Sequence, residues 1–596
     1  MCGIAGILTS SSYQDHLKIL IHRMQKTLQH RGPDGQGIHI STDKKVALAH
    51  TRLAILDLSP SGHQPMSVAN GRYWITFNGE IYNFRELRSQ LEAEGEKFHS
   101  QTDTEVILKL YQRVGPKCVT YLRGMFAFAI WDDLEKTCFL ARDPLGIKPL
   151  YYWQSGSTLV FASELRAILA SNLPTVNLSK EGLYGYLVSG SVPEPHTLIE
   201  GICCLEAGHW LHWQSGSSTQ SQYWQVNFGS ETISVPEAAE KVRSALIDSI
   251  KYHFVSDVPV GVFLSGGIDS TAVVALARQT QSGLLRTYSI AFEEPKWNEG
   301  EIAKKVSETF GTDHTEYKIT ASLGRELLSK FLAAIDQPSI DGFNTFCVSH
   351  IAREDGTKVA LSGVGGDELF GGYSSFQKVP KMVNWGKQLK HLGVISNTLR
   401  MSLERWGKSS QLRRFGDFLQ QPSNSGTAYR SFRGIFSHLE ACAIATNYFP
   451  SVVPTRYKSI SLPNFPSMED EVSFLELSQY MRNQLLRDSD VMSMSSSLEV
   501  RVPLVDQVLV EALASISSKI RLAPGKQLLV QAVPELPSWV VNRPKQGFTF
   551  PFEQWFSNEW SDLFNQTRCN QNIPLKSWYR RWSLVVLQSW WERVSV

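Results

Sequence analysis

Cys2 stands where a thiol acquires a base of its own. Removal of Met1, expected before so small a residue, leaves that thiol beside a free α-amine. An α-amine with an ordinary pKa of about 7.7 to 8.0 is partly unprotonated near neutral pH and can take the thiol proton. Far along the chain, Ser265-Gly266-Gly267 joins the apolar run Val258–Leu264 to an apolar-periodic segment, Ile268–Arg278, with Asp269 and Ser270 in its first turn. Two residues without side chains let successive N–H groups turn toward one point. The helix N-terminus adds positive charge there, so the loop suits an anion such as phosphate. A second glycine-rich loop, Ser362-Gly363-Val364-Gly365-Gly366-Asp367-Glu368, follows the apolar run Thr357–Leu361. Neither is a Walker A loop, which needs lysine and a hydroxyl directly after its last glycine. The nearest such piece, Gly407-Lys408-Ser409, has Ser402 where the first glycine belongs and reads as a surface helix.

The elements that must hold these residues differ between the two halves. From Ile233 the pattern alternates: Val258–Leu264, Arg286–Phe292, His314–Ile319 and Thr357–Leu361 read as strands, with helices between, among them Asn298–Phe310. Such alternation predicts a parallel sheet with helices on both faces and both glycine loops in one crevice at the carboxyl ends of its strands. Before Ile233, Arg72–Phe77 reads as a strand ending in an Asn78-Gly79 turn, and Met125–Trp131 with Thr137–Ala141 as a hairpin. The Ser-, Gln-, Thr- and Gly-rich stretch Gln214–Glu231 reads as a linker between a domain over 2–213 and a second over 233–596.

A length of 596 residues is too much for one ordinary core and fits two large domains. Lys and Arg number 59 against 57 Asp and Glu, so no global field favours nucleic acid or an anionic membrane, and the partners expected are small molecules. No apolar run approaches a membrane span, and the N-terminus lacks a basic leader, which predicts a cytoplasmic protein. The eight cysteines show no CxxC spacing and read as reduced thiols, with no structural zinc implied.

The N-terminal half carries five motifs in order: Met1-Cys2-Gly3-Ile4-Ala5-Gly6, His30-Arg31-Gly32-Pro33-Asp34-Gly35, Arg52-Leu53-Ala54-Ile55, Asn78-Gly79-Glu80-Ile81-Tyr82-Asn83 and Thr102-Asp103-Thr104-Glu105. Together they resemble the class II glutamine amidotransferase domain of the N-terminal-nucleophile hydrolases. That resemblance implies an αββα sandwich of two mainly antiparallel sheets between helices. It implies that Cys2 attacks the amide of glutamine while Asn78 and Gly79 supply the oxyanion hole. Arg52 would grip the substrate carboxylate and Asp103 its α-amine, with Glu80 in the same glutamine-binding set.

In the C-terminal half, SGGIDS, SGVGGDELFGGY, Leu498–Asp506 and Asn542–Phe548 extend the resemblance over nearly the whole chain, to the glutamine-dependent asparagine synthetase family and its ATP-pyrophosphatase domain. The implied cofactors are ATP and Mg2+. ATP would meet Leu264, Ser265, Gly266, Gly267, Asp269, Ser270, Ile290, Ser362 and Gly363. Asp269 and Asp367 would reach the metal, and Lys545 would neutralise charge as pyrophosphate leaves. The implied reaction is amidation of a carboxylate, aspartate first, through an acyl-AMP and internally transferred ammonia. A different carboxylate, such as a sugar acid or natural product, and a glutaminase with a non-catalytic nucleotide domain are the other readings. A tRNA-modifying enzyme with a similar loop fits less well, because the chain lacks paired CxxC and is nearly neutral. Oligomeric state stays open, with a homodimer among the readings.

One position departs from the family's pattern. Where asparagine synthetases usually carry a glutamate in the second loop, this chain has Val364, which cannot move a proton. Asp336 and Asp341, in the stretch Ala334–Ser349, are the expected substitutes, unless the acceptor brings its own carboxylate. Gln377–Phe415, with nine Lys or Arg and one acid, Glu404, reads first as a solvated face and otherwise as a surface for RNA or an acidic partner. The aromatic helix Trp578–Trp591 reads as core packing or a subunit contact.

Overall fold

The computed structural model describes residues 1–10, 16–391, 397–452, 462–544, 550–565 and 573–595. Lys545 and most of the Asn542–Phe548 motif lie outside the described residues.

Two six-stranded sheets build the first half. One runs Ile202–Cys204, Tyr151–Ser155, Thr158–Ala162, Gly3–Thr9, Val46–Arg52, Gly35–Ile40. The other runs Ser217–Gln222, His209–Gln214, Thr137–Arg142, Gly124–Asp132, Tyr73–Ile81, Met66–Val68. Neighbours in both pair antiparallel. Ile4, Leu48, Ala129, Leu140 and Phe161 fill the layer between the sheets. Helix Leu17–Thr27 covers the outer face of the first sheet and helix Asp103–Val114 that of the second. This is the αββα sandwich that the motifs implied.

Two local expectations are corrected. Asn78 and Gly79 are not in a turn: Tyr73–Ile81 stays paired with Gly124–Asp132 as far as Ile81 opposite Gly124, so Asn78 faces Ala127 across the ladder. The hydrogen bonds of a long paired strand outweigh the turn preference of Asn-Gly. Part of the expected linker is also structured. Ser217–Gln222 folds back on His209–Gln214 through Ser215 and Gly216, whose φ values of 50° and 92° suit a two-residue hairpin. Its side chains are exposed and polar, as befits an edge strand.

The second half carries a five-stranded parallel sheet in the order Asp313–Ile319, Arg286–Phe292, Val260–Phe263, Val359–Leu361, Glu499–Arg501. From the central strand Val260–Phe263 the chain goes to one side first and crosses to the other later, which opens a crevice where the order reverses. Helix Ile268–Thr280 follows that central strand. Gly407-Lys408-Ser409 is not helical but lies between helices Asn397–Trp406 and Ser410–Leu419, which Ser409 caps. Within the basic stretch Glu404 is buried, accepting from Gln420 Nε2 at 2.7 Å and Leu439 N at 2.9 Å. Helix Trp578–Val594 packs Trp582 and Trp590 into the core.

Charges tie the halves together. Arg31 Nη2 lies 2.8 Å from Asp490 Oδ2 and its Nη1 2.9 Å from Glu164 Oε1, while Lys148 Nζ lies 3.3 Å from Asp490 Oδ1. All four side chains are buried. Arg123 adds a two-pronged bond to Asp506 at 2.8 and 2.9 Å.

Candidate active sites

Strand Gly3–Thr9 begins at the edge of the sandwich, which brings Cys2 to its mouth. Cys2 N donates to Asn78 Oδ1 at 2.9 Å, and Arg31 Nε donates to Cys2 O at 3.0 Å. Asn78 Nδ2 is buried and has no hydrogen-bond partner among the described residues, which leaves one amide donor at the mouth of the sandwich unused. Burial pushes the Cys2 thiol above its ordinary pKa, while the N-terminal ammonium and Arg52 pull it back. A thiol so held needs a base to become a nucleophile.

Cys2, Arg52, Gly79, Glu80 and Asp103 line one cavity with Gln64, Thr102 and Thr104. Its volume is about 30 Å³, room for a water or two and far short of an amino acid. Arg52 explains the closure: its Nη1 donates to Ser59 O at 2.9 Å and its Nη2 to the carbonyls of Leu56 and Asp57. The guanidinium fork grips the loop that carries Leu56, Asp57 and Ser59. Asp103 opens helix Asp103–Val114, behind the Thr102 cap, and its Oδ2 accepts from Ile81 N at 2.9 Å. Burial pushes its carboxyl up to about 6. Burial and the neighbouring Glu499 carboxylate also raise Glu80 well above its ordinary value.

The second site lies at the carboxyl ends of the parallel strands. A cavity of about 510 Å³ is lined by Leu264, Ser265, Asp269, Ser270, Ile290, Ser362, Gly363, Val364 and Asp367 among others, a size suited to a small-molecule site. The two loops abut. A Cβ on Gly363 would lie 2.9 Å from Ser270 N, closer than real Cβ atoms come, so only glycine permits this approach. Gly266 has φ +75°, in the left-handed region that glycine adopts without cost. Gly267 stands just beyond, as N-cap of helix Ile268–Thr280.

Sequence reasoning missed Lys526. Its ammonium contacts Asp269 Oδ2 and lies 2.5 Å from Asp367 Oδ1. Burial pulls the Lys526 ammonium down, but the two carboxylates more than offset it, so its pKa stands above the ordinary lysine value. No local pattern in the sequence marks Lys526; it sits at φ 55°, an uncommon place for a side-chain-bearing residue that it shares with Lys44 and Lys136, among others. The same contacts test the expected metal. Asp269 and Asp367 converge on a single positive centre, and two carboxylates plus phosphate oxygens are the donor set a hard divalent cation takes, so the residues fit Mg2+.

The cavity continues past Val364. Asp341 lines it, with Oδ1 accepting from Gly342 N at 2.8 Å and Oδ2 3.5 Å from Gln484 Nε2. Burial raises the Asp341 carboxyl. Asp336 is elsewhere: Oδ2 accepts from Leu165 N at 2.7 Å and Oδ1 from Arg166 N at 2.9 Å, at the head of helix Leu165–Ala170. Both oxygens are spent on a helix start in the other half, so Asp336 is not a substitute for the missing glutamate. Glu368 also lines the cavity, accepting from Tyr373 OH at 2.8 Å. Tyr480 and Gln484 come from the π-helical segment Glu476–Leu486, a backbone form often met at functional sites. Trp578 and Tyr579, expected in core or contact roles, form part of the cavity wall with Phe343, Phe550 and Phe552.

Comparison with known proteins matches a domain in each half. Residues 1–224 match the glutamine amidotransferase domain and residues 241–585 the asparagine synthase family. Asparagine synthetase [glutamine-hydrolyzing] 1 of Bacillus subtilis is 33% identical, over 94% of this chain and 89% of its own. Its paralogue number 3 is 30% identical over 88% and 83%. Amidase chry2 of Gibberella zeae is 26% identical over 93% and 90%. No described helix is long and apolar enough to cross a membrane. A matched domain in each half and relatives spanning nearly the whole length place the chain in the glutamine-dependent asparagine synthetase family, whose members are ATP-using amidotransferases.

Proposed function

We propose that the chain hydrolyses glutamine at Cys2, passes the ammonia internally, and uses it to amidate a carboxylate activated as an acyl-AMP, with aspartate the leading acceptor. On this reading the parts 2–213 and 233–596 are separate reaction centres. The convergence of Asp269 and Asp367 on one cation, beside two abutting glycine loops, carries the reading. A merely structural turn has no need of two carboxylates aimed at one point, which also counts against a nucleotide domain without chemistry.

At the first site Asn78 Nδ2 and Gly79 N–H meet the developing oxyanion, Arg52 leaves its loop to take the glutamine carboxylate, and Asp103 with Glu80 receives the α-ammonium. Ammonia leaves as the thioester forms, and water then attacks the acyl carbon, breaks the carbon–sulfur bond and releases glutamate, which restores the Cys2 thiol. At the second site an acceptor carboxylate oxygen attacks the α-phosphorus and the bond to pyrophosphate breaks. Asp269 and Asp367 would hold Mg2+, which supplies neutralisation of phosphate charge when bound. Lys526 adds fixed charge on the same side, with Lys545 in the same role. Ammonia then attacks the acyl carbon, AMP departs, and Asp341 takes the excess proton in place of the glutamate that Val364 replaces.

A second acceptor class has an observation in its favour. Beyond Val364 the cavity offers carboxylate, amide and hydroxyl groups at Asp341, Gln484 and Tyr480 on one side and the aromatic wall of Phe552, Trp578 and Tyr579 on the other. Such a lining suits a larger carboxylate with hydrogen-bond donors and an apolar face, such as a sugar acid. The deciding experiment measures AMP and pyrophosphate release against a panel of carboxylates, aspartate and sugar acids included, with glutamine or ammonia. Release with aspartate alone supports the first reading. Release with a cyclic carboxylate alone supports the second, and ATP cleavage with none defeats both.

A further inference from the structure

The Met1 amine reaches beyond the sandwich into the second half. Met1 is 1% exposed, and its amine lies 2.7 Å from Glu499 Oε2, a fully buried carboxylate on the last strand of the parallel sheet. Glu499 is itself held from the other side, since Arg501 Nε lies 2.5 Å from Glu499 Oε1. Arg501 is fixed in turn by the carbonyls of His253 and Val255, at 2.9 and 2.7 Å from Nη1, and its Nη2 lies 3.6 Å from Glu80 Oε1. A residue of the second half thus presents an oriented anion to the chain start.

The Met1 and Cys2 nitrogens are three bonds apart, about 3 Å by standard backbone dimensions. Once Met1 is gone, Glu499 therefore faces the new Cys2 amine from within about 6 Å, directly or across one water in the space Met1 vacates. We propose that Glu499 is the counter-ion that orients the Cys2 α-amine in the processed enzyme, so that the base of the glutaminase nucleophile is positioned by a side chain from the synthetase half. This rests on reading Cys2 as the nucleophile. The amine is not alone with Glu499. Arg501 and Lys148 face the carboxylate, Glu80 and Tyr82 lie on and just past strand Tyr73–Ile81, Asp103 heads its helix, and Arg52 and His50 stand on strand Val46–Arg52. Among these Glu499 is the carboxylate in hydrogen-bond contact with the chain start. Its own carboxyl is held down to about 2, although burial alone would raise it, by the N-terminal cation, Arg501 and Lys148.

The test uses the full-length processed protein, with Met1 removal verified by intact mass, and follows glutamine hydrolysis against pH for the parent, Glu499→Gln and Glu499→Asp. Ammonia-dependent AMP release shows that each variant is folded. An amine that loses its anion gives up its proton more readily, so the acid limb of the Glu499→Gln profile should move toward lower pH by about one unit, with a lower plateau rate. Glu499→Asp keeps the charge but withdraws it by one methylene, and its limb should fall between the two. An unmoved limb in either folded variant overturns the proposal, even where the rate falls, because a purely structural partner of Arg501 changes rate without moving the limb. So does an active parent that retains Met1. If Cys2→Ala still hydrolyses glutamine, the nucleophile reading itself has failed, which is a separate result.

Discussion

The Lys526 ammonium lies between Asp269 and Asp367, one carboxylate from each glycine-rich loop, and ties both loops to one point at the mouth of the parallel sheet. Removing it leaves two carboxylates facing each other and takes fixed positive charge from the phosphate site. Lys526→Met should slow ATP cleavage by about 10²- to 10³-fold, the usual effect of losing one preorganised electrostatic group. Glutamine hydrolysis should remain measurable. Pyrophosphate release at the parent rate would remove Lys526 from the reaction. Asp269→Asn should act in the same direction.

Cys2 and the nucleotide loops line different cavities. Cys2→Ala should therefore abolish glutamine-dependent amidation and leave ammonia-dependent turnover. Equal loss of both, measured as AMP release with each nitrogen donor, would show that the two cavities do not work independently.

Asp341 and Asp336 should separate cleanly. With ammonia as donor, Asp341→Asn should lower amide formation by about 10²- to 10⁴-fold, the range for losing a proton acceptor, and Val364→Glu in that background should restore part of it. Asp336→Asn turns one of the two oxygens that accept the Leu165 and Arg166 N–H groups into a donor, so its expected effect is on stability, of about 1 to 3 kcal/mol, read as a fall in denaturant midpoint. Fast amidation that survives Asp341→Asn would refute the substitute-base reading.

Asp103 gives a pH signature. Burial raises its carboxyl to about 6, so below that pH it is neutral and cannot pair with the glutamine ammonium. KM for glutamine should rise as pH falls through about 6, with the ammonia reaction lacking this dependence. The sign for stability is opposite. A carboxyl whose folded pKa is raised favours the folded state most below its unfolded value near 3.9, and that contribution is lost as pH rises through about 6. Asp103→Asn should therefore abolish the KM trend and gain stability relative to the parent above that pH, checked by denaturant titration at pH 5 and about 7.5.

Trp578 and Tyr579 line the part of the cavity proposed for the acceptor, from helix Trp578–Val594. Trp578→Ala should raise KM for the acceptor while leaving KM for ATP unchanged. Equal changes in both would place the indole against the nucleotide.

Much of this was legible in the residues. The strand Arg286–Phe292 announced itself as an apolar and β-branched run, the polar strand His314–Ile319 followed only from the alternation of helix and strand, and glycine pairs marked the loops where backbone must approach backbone. Five of the residues assigned to glutamine, Cys2, Arg52, Gly79, Glu80 and Asp103, share a cavity, and Asn78 reaches Cys2 from the adjoining strand. What escaped was set by long-range contact. Lys526 stands 257 positions from Asp269, and no local period links them. The π-helical turn that turns Tyr480 and Gln484 into the cavity leaves no signature in hydrophobic spacing. Asp336 and Asp341 looked alike, five residues apart, until one was found at the head of a helix in the other half. Asn78-Gly79 misled because a turn-favouring pair also serves inside a ladder when its partner strand is long.

The buried charges between the halves bear on how such a chain can change over generations. Arg31 and Lys148 find Asp490 only across that junction, and a buried ion whose partner is taken away costs about 3 to 5 kcal/mol. A gene split in the loop before Val235 would yield two products, each folding around charges whose counterparts diffuse separately in the cell. Neither fragment could be lent to another enzyme without repairing that face first. A single chain keeps those counterparts at a fixed distance from one another, whatever changes in the lining of either cavity.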